Sequence, residues 1–231
     1  MHRIGIIFVA FLLMQGVCIA AGEVQISDEM DRISYSVGHQ MGRDFKMQKI
    51  EIRPEVFLKG IQDALEGGEP MISYGEMRET LINLKAKVVA IQKEQAQEKA
   101  EQTLREGQAF LEENAKKDSV KTLPSGLQYE VILEGQGTSP GATDTVTVHY
   151  RGTLIDGTEF DSSYSRAEPA TFALTRVIKG WTEGVQLMKP GAKYRFFIPP
   201  ELAYGTRGAG SNIGPNSTLI FEVELLSVEG K

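Results

Sequence analysis

Thr145-Val146-Thr147-Val148-His149-Tyr150-Arg151, followed five residues on by Asp156-Gly157 and then Thr158-Glu159-Phe160-Asp161, is the stretch on which the fold turns. Val146, Val148 and Tyr150 fall on one side of a period-two pattern, and Thr145, Thr147, His149 and Arg151 on the other, which is the mark of a half-buried strand. Asp156-Gly157 is the dipeptide favoured in a tight hairpin turn. Further on, Tyr194, Phe196 and Ile198 alternate again after a turn at Lys189-Pro190-Gly191-Ala192, and Leu219, Phe221, Val223 and Leu225 share one face of a last strand. Between them Trp181, Val185 and Met188 stand at helical spacing. From Leu123-Pro124-Ser125-Gly126 onward, residues 119–231 are therefore predicted to form an antiparallel sheet curling over one short helix.

Upstream the texture is helical. In residues 22–72, Ile33, Val37, Met41 and Phe45 recur every four residues, with Gly38 and Gly42 beside them permitting close approach. Pro54 suits the first turn of a second helix, and Gly67-Gly68 stops it. Ser73 and Glu76 form a capping-box pattern at the head of a third. No proline interrupts 73–118, and an unbroken helix there would span about 69 Å. Met77, Leu81, Leu84, Val88 and Ile91 step 4-3-4-3 along it before a polar stretch, 92–99. Fifty residues of short helices make a poor independent core, so this zone is expected to self-associate, most simply as a homodimer.

The first residues are an address. Arg3 precedes an apolar run from Ile4 to Met14, and small residues follow around Ala20-Ala21. Residues 1–21 read as a cleaved signal peptide, too short in their apolar run for a spanning helix. A retained anchor and lipidation of Cys18 are the alternatives. Export to the periplasm, free or associated with the outer membrane, is the expected location.

The chain has 231 residues, 41% hydrophobic and 24% charged, with a net charge of −6. That balance argues against a protein built to bind nucleic acid, which needs a basic excess. One cysteine and three scattered histidines exclude a disulfide framework and a multi-cysteine zinc site. The glycine-rich Gly205–Gly210 segment is followed by a strand, not by the helix N-terminus that a phosphate loop requires. His149 reads as an exposed strand histidine. No residue set suggests acid–base or nucleophilic catalysis, a metal or a cofactor. What stands out is an aromatic concentration from Tyr150 to Phe221, with Asp161 beside Phe160 and within reach of Arg166 or the Tyr150 hydroxyl.

Four segments then carry a resemblance: Asp156–Ser163, Val177–Val185, Pro200–Gly205 and Asn216–Leu226 are similar, in order, to the FKBP-type prolyl isomerases. Ser34–Arg43 and Phe57–Leu65 resemble the companion N-terminal domain of the Mip-like (macrophage infectivity potentiator) branch. The resemblance implies an α+β fold: a half-barrel sheet wrapped on a short helix, preceded by a helical dimerisation domain and a long connecting helix. It implies a pocket with Trp181 as floor and Tyr150, Phe160, Phe172, Val177, Ile178 and Phe221 as walls. In it Tyr204 would bond a substrate carbonyl, Ile213 would close the rim, and Asp161 would be braced by Arg166 and Tyr150. Val177-Ile178 would also offer a backbone N–H and carbonyl.

Ala170, Ala209 and Gly214-Pro215 depart from the family pattern, which bears on substrate preference and inhibitor affinity. The implied activity is rotation of Xaa-Pro bonds in unfolded or proline-containing exported polypeptides, with chaperone activity beside it and macrolides as inhibitory ligands. The competing reading is a holdase or binding module whose pocket is secondary.

Overall fold

The computed structural model describes residues 24–229. The signal peptide expected at 1–21, and Cys18 with it, lie outside the described residues. The chain divides into two compact units between Leu84 and Lys85.

In the first unit, α1 (Glu29–Met47) begins at Asp28, whose carboxylate accepts the Asp31 N–H while the Asp31 carboxylate accepts the Asp28 N–H. α2 (Pro54–Glu66) has proline in its first turn and ends at Gly67 with φ +71°. The two helices meet at Phe45 and Phe57, edge to face at 5.5 Å. Neither contains a buried residue. Ile33 and Val37, at the head of the apolar stripe, are 50% and 54% exposed. A cavity of about 440 Å³ opens between the two helices, lined by Gly38, Gly42, Phe45, Ile50, Ile52, Pro54 and Phe57 among others. Gly38 and Gly42 have no neighbour against them in the single chain.

α3 (Tyr74–Asn114) is one helix of 41 residues. Its start carries the Ser73/Glu76 capping box, with Ser73 Oγ accepting from the Glu76 N–H at 3.2 Å. It stops at Asn114, where the backbone tightens into the bonds Lys116 N–H to Glu113 O and Lys117 N–H to Asn114 O. The Asn114 side chain is buried and donates to Gln128 Oε1 at 2.9 Å, and Gln128 donates in turn to the Leu111 carbonyl. Phe110 packs on Phe197 at 5.9 Å. The latter part of α3 is thus integral to the second unit.

That unit is an antiparallel sheet of seven strands: β1 (Val120–Thr122), β2 (Gln128–Leu133), β3 (Thr145–Leu154), β4 (Glu159–Ser162), β5 (Ala170–Ala173), β6 (Lys193–Ile198) and β7 (Leu219–Val228). Their order is β1-β2-β6-β7-β3-β4, with β5 also pairing on β3. Long β3 and β7 run together from Val146↔Val228 to Leu154↔Leu219, the register shifting once. The alternating residues Val146, Val148 and Tyr150 face the core, as do Leu219, Phe221, Val223 and Leu225. α4 (Lys179–Val185) lies on this face, with Trp181, Val185 and Met188 buried. It can lie close because Gly180 and Gly184, one turn apart, meet Ile198 and Phe196. A Cβ at either would stand 2.5–2.7 Å from those side chains.

His149 differs from its sequence reading. It is half-buried, stacked on Tyr164 at 4.8 Å, with Nδ1 bonded to Ser163 Oγ at 3.0 Å. The bend after β4 that returns Ser163 and Tyr164 to β3 covers it, which strand periodicity alone cannot show.

Candidate active site

Between α4 and the sheet lies a pocket of about 370 Å³ lined by Tyr150, Asp161, Phe172, Arg176, Val177, Ile178, Trp181, Tyr204 and Phe221. Its floor is an aromatic cage. Tyr150, Phe172 and Phe221 each meet the Trp181 ring edge-on at 5.2–5.7 Å, the geometry that sets ring edges against ring faces. Phe160 buttresses Phe221 at 5.4 Å. Both rings cross β3 at Gly152, where a Cβ would stand 2.6 Å from Phe160 and 2.8 Å from Phe221. The Trp181 indole nitrogen is buried and has no hydrogen-bond partner among the described residues.

The polar edge is built around Asp161. The Tyr150 hydroxyl donates to Oδ2 at 2.5 Å, and Arg166 donates to Oδ1 at 2.6 Å and to the Tyr150 oxygen at 2.8 Å. Burial acts to raise the Asp161 pKa, but the bonds from Tyr150 and Arg166 outweigh it and hold the carboxyl below its ordinary value. Burial, then the bond to Asp161, push the Tyr150 phenol up. Tyr204 is raised by burial and by the nearby Asp161 charge. Asp161 is thus a fixed anion and both tyrosines are neutral near pH 7.

Ile178 caps α4, its carbonyl accepting from the Trp181 and Thr182 N–H groups. Thr182 Oγ1 donates to the Leu174 carbonyl at 2.7 Å, fastening α4 to the 3-10 turn Leu174–Arg176 and so setting Val177-Ile178 at the pocket mouth.

Of the residues singled out in the sequence, Tyr150, Asp161, Phe172, Val177, Ile178, Trp181, Tyr204 and Phe221 line this pocket together. Phe160 and Ile213 line an adjoining hollow beneath the loop 205–216, shared with Asp161, Tyr204 and Phe221. Arg166 stands behind Asp161 and lines neither. The loop folds on itself through paired Ala209–Ile213 backbone bonds, which bury Ile213. Arg176 in the pocket lining, and Ser211 and Asn212 in the hollow, were not legible beforehand; exposed polar residues in short turns carry no periodicity.

Comparison with known proteins agrees with this geometry. A family model described as FKBP-type peptidyl-prolyl cis-trans isomerase matches residues 136–226. One described as the domain amino terminal to FKBP-type peptidyl-prolyl isomerase matches 30–131. The peptidyl-prolyl cis-trans isomerase Mip of Coxiella burnetii is 44% identical over 231 residues, covering 100% of both chains. The outer membrane protein MIP of Legionella longbeachae is 43% identical, covering 94% of each. The crystal structure of FkpA from Escherichia coli matches with a TM-score of 0.75 at 40% identity, covering 88% of this chain and 98% of that one.

Proposed function

The chain belongs to the FKBP-type peptidyl-prolyl cis-trans isomerases, and from that membership we propose how its own residues carry the rotation of an Xaa-Pro bond. The enzyme is a rotamase acting on polypeptides. The planar amide faces a barrier of about 18–20 kcal/mol because resonance is lost on twisting. A twisted amide is less dipolar than a planar one, so a dry aromatic cage favours it relative to the planar ground state. The proline ring enters against Trp181, between Tyr150, Phe172 and Phe221, and is held while the preceding residue swings. The Tyr204 hydroxyl, which has no hydrogen-bond partner among the described residues, and the Ile178 N–H anchor substrate carbonyls. The Asp161 anion, fixed by Tyr150 and Arg166, disfavours the charge-separated planar form at the rim. A barrier lowered by about 6 kcal/mol accelerates the step more than 10⁴-fold, and orientation and desolvation together are of that order.

The observation that carries this assignment is the Asp161–Tyr150–Arg166 cluster standing at the edge of the Trp181 cage. The variants Asp161→Ala and Tyr204→Phe test it. Each is expected to lower turnover of a short Leu-Pro peptide while keeping the wild-type fold. Full activity in both folded variants would remove these residues from the mechanism.

The exported location and dimeric state belong to the same proposal. The N-terminal pattern Arg3, Ile4–Met14, Ala20-Ala21 supports a cleaved signal and a periplasmic site of action, where slow Xaa-Pro isomerisation limits folding of exported chains. Two helices with no buried residue and an apolar groove between them support association through α1 and α2 of two copies. The same exposed apolar surface supports the second reading, a chaperone activity in which unfolded clients are held by the helical unit.

A further inference from the structure

Resting on the reading of Tyr204 and Ile213 as pocket residues, we propose that Asn216 is a positioning residue, locking the loop that carries Ile213, and Tyr204 at its foot, onto α3. The loop 205–216 closes at a neck where the Asn216 N–H donates to the Gly205 carbonyl at 2.9 Å, one residue from Tyr204. Its amide side chain reaches 116 residues back and donates to the Ala100 carbonyl at 3.1 Å. Ala100 lies inside α3, so its carbonyl already accepts a helix bond and offers its second lone pair. Asn216 has φ +59°, a left-handed conformation that asparagine tolerates better than most side chains. One residue therefore closes the loop with its backbone while its side chain holds the helix.

Two residues on, Thr218 packs against Gly107, so close that a Cβ at 107 would stand 2.4 Å from Thr218 Oγ1. Ala100 and Gly107 are seven apart and lie on one face of α3. The segment 216–218 is thus seated along that face by one hydrogen bond and one close contact.

In hydrogen bonding, the middle of the loop is joined to itself. The Ala209–Ile213 bonds and the Ser211–Asn212 bond are internal to it. Among the described residues the bonds at its neck are Asn216 N–H to the Gly205 carbonyl, which closes the loop, the Asn216 side chain to Ala100, which leaves it, and Ser217 Oγ to the Gly214 carbonyl at 2.9 Å. Ile213 is buried and, with Ala209, packs on the hydrophobic core, while Gly210, Ser211 and Asn212 stand over the hollow shared with Phe160 and Tyr204. Release of the neck lets Ile213 and Tyr204 move together, and α3 is part of the frame of the pocket.

The test compares full-length wild type with Asn216→Gly, which keeps the φ, Asn216→Asp, which loses the donor, and Gln128→Ala, which loosens α3 at its far end. Each is assayed for kcat and KM on a Leu-Pro peptide and for its denaturation midpoint by Trp181 fluorescence. Both Asn216 variants are expected to lose about three- to tenfold in kcat/KM, chiefly through KM, at temperatures where they are fully folded. Gln128→Ala is expected to lower the midpoint at least as much and to keep kcat/KM within about twofold of wild type. Unchanged kcat/KM in folded Asn216→Gly, or an equal loss in Gln128→Ala, overturns the proposal. An inactive wild type would instead overturn the reading of the pocket on which it rests. Should the Asn216 variants not fold, amide exchange in the wild type decides. The Ile213 and Asn216 amides are expected to open at the rate of α3 around Ala100, and exchange more than tenfold faster than α3 overturns the assignment.

Discussion

Gly107→Ala puts one methyl group into the seam between α3 and β7. In an open helix the change stabilises by about 0.8–1.0 kcal/mol, because glycine loses more backbone freedom on folding. Here the new Cβ would lie 2.4 Å from Thr218 Oγ1 and 3.2 Å from Thr218 Cβ. Thr218 is buried, and Leu219 beside it is paired to both Ile198 and Leu154, so the strand cannot retreat cheaply. Overpacking costs about 1–3 kcal/mol, and a contact this short belongs at the upper end, leaving a net loss of about 1–2 kcal/mol.

Thr218→Ala separates the two effects. It removes the offending oxygen, a buried hydroxyl with no hydrogen-bond partner among the described residues, and one methyl worth about 0.8 kcal/mol. In that background only the 3.2 Å contact persists, and Gly107→Ala should become neutral or stabilising. The expected coupling between the two sites is about 2 kcal/mol. Urea titrations followed by the single tryptophan, Trp181, measure it, with midpoints moving and slopes constant. A Gly107→Ala protein as stable as wild type, or losing equally with and without Thr218, would refute the seating of α3 at this point.

Other consequences are equally direct. The acid limb of the activity profile should lie below the ordinary carboxylate range of about 3.9, because Asp161 is held down by Tyr150 and Arg166 against the effect of burial. Arg166→Met should move that limb upward in a pH series. For stability the sign is the same: a lowered folded pKa gives a contribution complete above about 3.9 and lost as pH falls through the folded value. Gly152→Ala should drive Phe160 and Phe221 apart, costing about 1–3 kcal/mol and reducing kcat/KM; undisturbed activity would count against the aromatic cage. Val37→Asp places a charge on a residue that is exposed in the single chain. In sedimentation velocity it should convert a dimer to a monomer with short-peptide activity retained, whereas a monomeric wild type at micromolar concentration would remove the dimer.

What could be read beforehand is what local chemistry determines. The alternation at Val146–Tyr150 and Leu219–Leu225, the spacing of Trp181, Val185 and Met188, and the Ser73/Glu76 cap each need only neighbours a few residues apart. Strand order was beyond that reach: β7 lies between β3 and β6, and β2 pairs with a strand some sixty residues away. The end of α3 depends on Asn114 finding Gln128, while composition alone carries helix-forming residues further. Along the heptad seam Val88 is buried and Leu81 is exposed, a difference that depends on tertiary surroundings and not on spacing. The pocket-lining residues Asp161 and Tyr204 are legible only through motif resemblance, since an isolated carboxylate and an isolated phenol have no periodicity. Arg176, and the link from Asn216 to Ala100, had no sequence signal at all.

The most direct measurement is exchange NMR of a Leu-Pro peptide with full-length protein, recording the Trp181 indole resonance in the same titration. Faster cis–trans exchange is expected, with an indole shift that has the same dependence on peptide concentration, because in the proposed mechanism the proline ring turns against Trp181. Accelerated exchange with an unmoved indole resonance would place the chemistry elsewhere, and no acceleration by folded protein would contradict the account at its centre.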